Sequence, residues 1–174
     1  MKWALRALGI IAALIAAILL TGSLLPKQHT ATRAARFHQP PEAIWSAIAD
    51  YSKFPAWRKS VTRVEALPSA NGKPSWREFD KHDHAIPYEI VESMPPQHLV
   101  TLIADPNLPF GGTWTYELTP QANGTTVLRI TENGEVRNLF FRFVSRFFMG
   151  YTKTMEDYLD ALGQKFGEKT TVEN

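Results

Sequence analysis

Residues 40–57, PPEAIWSAIADYSKFPAW, constrain this chain more than any other stretch. Pro41 falls in the first turn of a helix, where a missing N–H costs nothing, and Glu42 follows where the helix dipole favours an anion. Ile44, Trp45, Ile48 and Tyr51 recur at helical spacing, which predicts a short amphipathic helix. Asp50-Tyr51-Ser52 ends it. Phe54-Pro55-Ala56-Trp57 then makes a sharp aromatic corner before the polar Arg58-Lys59-Ser60.

The N-terminus has a different character. After Lys2 and Arg6, an apolar run extends from Ala7 to Leu25. Its 19 residues make about 28 Å of helix, close to the roughly 30 Å of bilayer hydrocarbon. Residues 1–25 read as a single-pass anchor that meets the lipid bilayer through residues 7–25. A cleaved signal peptide is the alternative, but Leu24-Leu25-Pro26 prolong the run and no A-x-A site follows. The short basic start resembles a signal anchor, which would leave the rest of the chain on the extracytoplasmic side. Residues 26–32 read as a linker. Fully extended it reaches roughly 25 Å, so whatever follows stays beside the membrane.

Charge excludes one class of partner. The chain has 19 Lys+Arg and 17 Asp+Glu; setting aside Lys2 and Arg6 leaves 17 of each. A neutral domain lacks the basic footprint of a nucleic-acid binder. Cysteine is absent, which excludes disulfides, thiolate catalysis and zinc–sulfur sites.

Beyond the linker, the pattern predicts a strand at 31–38, the helix pair at 41–57 and a strand at 60–67. Asn71-Gly72 is a hairpin turn. Strands follow at 75–81, 86–92, 97–105, 113–119 and 125–136, with a turn at 82–85 and a stiff loop at 105–112. A single long helix is expected from Asn138 to Phe166, and residues 168–174 read as a flexible tail. Strands in a row with a helix at the end define an α+β class in which the helix covers one sheet face.

The aromatic helix pair, followed by this order of elements, resembles the START-like, or SRPBCC, superfamily with its polyketide cyclase/dehydrase-type and lipid-transfer members. The resemblance covers about residues 31–167 and implies one domain over 33–167. The implied fold is a helix-grip, a curved antiparallel sheet wrapped around a long C-terminal helix. It also implies an internal apolar cavity for a hydrophobic or amphipathic small molecule such as a lipid, a quinone or a polyketide-like compound. Two alternatives accompany that function: a cyclase/dehydrase-like enzyme and a non-catalytic envelope interaction module.

Alternation along the strands nominates the lining. Trp76 and Glu78 share one face of their strand, as do Trp114 and Tyr116 of another, and Ile130 and Glu132 of a third. Tyr88, Phe110 and the middle of the C-terminal stripe, Phe147, Tyr151 and Met155, complete the expected ligand-binding set. Glu78, Asp105 and Glu132 are the candidate catalytic groups, since a carboxylate in an apolar cavity can act as acid, base or polar anchor. No pattern calls for a cofactor, and His82-Asp83-His84 reads as a polar turn rather than a metal site. Within 139–149, Phe141 and Phe148 fall beside Arg142 and Arg146 on the far side of the helix, an arrangement suited either to cover by the 105–112 loop or to a lipid interface.

Overall fold

The computed structural model describes residues 2–70 and 72–173 and follows the expected order. Helix α1 (Lys2–Leu24) leads into strand β1 (Gln28–Phe37), helix α2 (Pro41–Ala49) and a 3-10 turn (Tyr51–Ala56). Six strands follow: β2 (Arg63–Ala70), β3 (Lys73–Phe79), β4 (Ala85–Met94), β5 (His98–Ile103), β6 (Phe110–Pro120) and β7 (Thr126–Val136). The C-terminal helical region comprises α3 (Leu139–Val144), a π turn (Ser145–Met149) and α4 (Lys153–Lys165), with a short β8 (Val172–Glu173) after it. The strands form one antiparallel sheet in the order β2-β3-β4-β5-β6-β7-β1-β8. The architecture is an α+β helix-grip.

Three boundaries near the site and the C-terminus differ from the sequence reading. The linker expected at 26–32 is short, because β1 starts at Gln28 and pairs along its whole length with β7, from Gln28↔Glu135 to Phe37↔Thr126. Residues 168–174, read as tail, include β8, which pairs Val172 with Ala35. Strand β6 starts at Phe110, inside the expected loop, because Gly111 and Gly112 continue the ladder with β7. A Cβ on Gly112, at φ 127°, would collide with the Asn133 carbonyl, so glycine is what lets the two backbones approach. Asn71 of the expected hairpin lies outside the described residues; Gly72 has the positive φ, 76°, that such a turn requires.

The largest correction concerns the C-terminal helix, which is two helices. Its 3.6-residue stripe runs without interruption through 138–166, yet the backbone breaks at Gly150, with φ 72° and ψ −175°. Periodicity reports which faces want burial, and it is silent about one glycine that can leave the helical region at little cost.

Alternate residues of β3–β7 and β1 point to the concave face. Beneath α2 and α4 they form the core, in which Phe37, Ile44, Leu128, Ile130, Met155, Leu159 and Leu162 are fully buried. Each such side chain contributes about 1.5–3 kcal/mol of transfer free energy. The aromatic corner closes this core. Tyr51 stacks on Trp76 at 4.7 Å, and Phe54 meets the same indole edge-on. Packing therefore seals one part of the concave face, and the other part stays open.

Candidate functional site

The open part is a cavity of about 290 Å³ between the concave sheet and the α2–α4 side. Its walls come from the inward residues of four strands, as a period of two requires: Trp76 and Glu78 on β3, Ile86 and Tyr88 on β4, Thr101 and Ile103 on β5, Trp114 and Tyr116 on β6. Phe110, Gly111 and Gly112 line its rim, Glu132 enters from β7, and Ile48, Phe54, Arg58 and Thr154 face the sheet.

Two carboxylates project into this aromatic box, and both are held in the same way. The Trp76 indole N–H donates to Glu78 Oε1 at 3.0 Å, and Trp114 Nε1–H donates to Glu132 Oε2 at 2.9 Å. Each also has a basic partner. Arg58 donates to Glu78 Oε1 at 2.9 Å, and His29 Nε2 lies 3.1 Å from Glu132 Oε1. Each carboxylate thus has one indole and one base fixing its orientation, as buried charges require.

The Glu78 end is deep. The Arg58 guanidinium lies over the Phe54 ring at 4.7 Å and the Tyr158 ring at 5.1 Å, so its flat faces are covered. Burial works against its charge, yet the neighbouring Glu78 carboxylate holds its pKa above the ordinary value. Burial likewise pushes up the phenol of Tyr116, with Arg58 opposing and Glu78 adding to the shift. Tyr158 is raised as well, first by burial and then by Tyr116. The buried Tyr158 hydroxyl and Trp57 Nε1 have no hydrogen-bond partner among the described residues.

The Glu132 end is shallower, with its side chain 21% exposed against 9% for Glu78. Here the imidazole of His29 stacks on Tyr151 at 3.9 Å, which fixes the ring that faces Glu132. Its place opposite depends on Gly134, where a Cβ would collide with the imidazole.

Of the residues expected to bind ligand, the structure brings Trp76, Tyr88, Phe110, Trp114 and Tyr116 to the cavity, together with Glu78 and Glu132. It does not bring the rest. Ile130 and Met155 are fully buried in the core beside it. Tyr151 packs on His29, and Phe147 is 56% exposed beyond the break at Gly150. Asp105 lies in the 104–109 loop, where its carboxylate accepts from Asn107 N at 2.8 Å. His82-Asp83-His84 forms a turn in which Asp80 Oδ1 accepts from the backbone N–H of His82 and His84.

Beyond several lining residues such as Ile86, Thr101, Ile103 and Thr154, sequence reasoning missed the two basic partners of the carboxylates, Arg58 and His29. Arg58 follows the aromatic corner in an unpatterned polar triplet, and no periodicity marks such a side chain as buried. His29 carried a usable signal: stepping back by twos from Phe37 through Ala35, Arg33 and Ala31 reaches it on the inward face. Assigning it to a linker hid that step.

This arrangement, a curved sheet gripping a helix around an apolar cavity, defines a class of proteins that enclose hydrophobic molecules or act on them. The chain belongs to the family described as polyketide cyclase/dehydrase and lipid transport, which matches residues 28–167. Its fold is similar to that of a START superfamily protein from Mycobacterium smegmatis, with a TM-score of 0.63 at 16% identity over 79% of this chain and 96% of that one. It is also similar to the Zhui aromatase/cyclase of a Streptomyces species, with a TM-score of 0.66 at 10% identity over 79% and 93%. Norcoclaurine synthase from Thalictrum flavum gives a TM-score of 0.62 at 11% identity over 81% and 87%. At these identities the likeness is one of fold. No curated protein matches the sequence significantly.

Proposed function

We propose that this chain is a membrane-anchored domain that binds a compact, largely apolar molecule carrying hydrogen-bond donors. The observation that carries this reading is the pair of indole-held carboxylates inside an aromatic cavity of about 290 Å³. That volume is at the low end of the roughly 300–1,000 Å³ of small-molecule sites, which favours a hydroxylated aromatic or a quinol headgroup over an entire phospholipid. Carboxylates accept hydrogen bonds, so the ligand supplies the O–H or N–H groups. Helix α1 is long and apolar enough to cross a membrane, which supports the anchor. The short connection to β1 would keep the cavity beside the bilayer.

The test uses the full chain in detergent micelles, titrated with a series of naphthols and quinols while tryptophan fluorescence is read. Saturable quenching that is lost in Trp114→Leu is the expected result. Absence of uptake across the series, with native mass spectrometry showing no bound small molecule after membrane extraction, would overturn the reading.

The His29–Glu132 contact favours a second reading, a cyclase-type activity. A carboxylate and an imidazole 3.1 Å apart at the rim can take a proton from a carbon between two carbonyls and return one to a departing hydroxyl, releasing water. Such an activity would be lost in Glu132→Gln while ligand binding persists.

A further inference from the structure

The segment 139–149, LFFRFVSRFFM, leaves its apolar side chains outside the core. Phe148 is 76% exposed, Met149 67%, Phe147 56%, Phe140 47% and Phe141 44%. A domain that buried this segment for stability would not leave five large side chains in water, since each costs free energy there. The 105–112 loop does not cover them.

What does meet this segment is α1. Ile18, Thr21 and Gly22 of α1 lose exposure, as does Leu25 just beyond it, and their spacing of three and four defines one face. Gly22 is buried against α3 so closely that a Cβ there would collide with the Leu139 carbonyl. Helix α3 therefore runs beside the last turns of α1, at the same depth. The opposite face of α1 stays apolar and bare, with Leu20 65% and Leu24 80% exposed. Two adjacent elements thus both leave large apolar side chains exposed, and Arg146 among them is exposed as well.

The same end of the sheet holds the cavity rim. The end of β7 is tied to the short connection between α1 and β1, with Val136 N donating to Lys27 O at 2.8 Å. Arg137 N donates to Pro109 O at 2.8 Å, and the Arg137 guanidinium donates to the carbonyls of Leu108 and Phe110. These bonds stitch α1, α3, the 104–109 loop and the start of β6 into one unit. Phe110, Gly111 and Gly112 of that unit also line the cavity.

We infer that residues 139–149 form a second, non-spanning bilayer contact beside α1, which seats the cavity rim on the lipid surface so that ligand passes between bilayer and cavity without crossing water. The partner is a bilayer containing anionic phospholipid, whose headgroups suit Arg146 beside the aromatic side chains. This inference rests on the membrane-anchored reading and adds to it the orientation of the domain and the route of the ligand.

The chain has no cysteine, so single cysteines report without background. Full-length Phe148→Cys, Phe110→Cys and Leu14→Cys, with Asn123→Cys in the turn at the far end of the sheet, are labelled with an environment-sensitive dye. Each is then reconstituted in phosphatidylcholine–phosphatidylglycerol vesicles containing a nitroxide lipid. Quenching at 148 and 110 several-fold above that at 123, and approaching that at 14, is the expected result. Quenching at 148 no greater than at 123, with 14 strongly quenched, overturns the inference while leaving the anchor standing; weak quenching at all four positions overturns both. Phe147→Asp/Phe148→Asp gives an independent readout: uptake of a naphthol unchanged in detergent but several-fold slower from vesicles. Equal rates from vesicles would place the ligand route in water and refute the portal.

Discussion

The two carboxylates of the cavity have the same kind of holder and different partners. Glu78 is paired with a guanidinium, which stays charged at any pH a protein survives, and aromatic rings cover that cation. Glu132 is paired with an imidazole at the more exposed end, a ring that can donate to a carboxylate or accept from a carboxyl group. One end is therefore an ion pair beneath two aromatic rings, and the other a carboxylate–imidazole contact closer to solvent.

The comparison breaks most severely at Glu78. Glu78→Gln strands Arg58 without a counter-charge, and a buried pair that loses one member costs about 3–5 kcal/mol. Thermal unfolding of the full chain in detergent should show this as a large drop in Tm. Replacing both members in Arg58→Met/Glu78→Leu should recover most of it. If the single variant melts with the wild type, the deep end is not an obligatory ion pair.

Alkaline pH tests the surroundings of that pair. Tyr116 and Tyr158 are raised above the ordinary phenol value in the folded state, so the folded chain holds protons that the unfolded chain releases. Their contribution is complete below pH ~10 and falls above it, by roughly 1.4 kcal/mol per pH unit for each phenol. A phenolate absorbance titration should show both ionising only together with unfolding.

The indoles separate the two ends by a smaller margin. Trp76→Phe removes a hydrogen bond to a buried charge and should cost about 1.5–3 kcal/mol. Trp114→Phe should cost about half as much, because water reaches Glu132. The smallest stability effect belongs to His29→Gln, at under about 1 kcal/mol. Its larger consequence should appear as weaker naphthol binding, read by the fluorescence titration.

Much of this architecture was legible in the sequence, for identifiable reasons. The pairings Trp76 with Glu78 and Trp114 with Tyr116 follow from a period of two that strands cannot avoid, and the helical spacing of Ile44 and Ile48 marked the face of α2 that is buried. Phe147, Tyr151 and Met155 show where such reasoning stops. Their shared stripe predicted a shared destination, but Gly150 divides it, sending Met155 into the core, Phe147 outward and Tyr151 onto His29. The pairing of His29 with Glu132 was not visible either, because it joins residues 103 positions apart through a register that local pattern does not encode.

That separation also sets an order of events during synthesis. Strand β1 emerges directly behind α1, yet β7, its ladder partner along its full length, is made about a hundred residues later. At 5–20 residues per second, β1 waits roughly 5–20 s with its main-chain donors and acceptors unmatched. An apolar segment that engages the bilayer first would hold this unmatched strand at the lipid surface throughout the interval. A nascent chain halted before Thr126 would be an incomplete sheet, open to chaperones and proteases until its last long strand arrives.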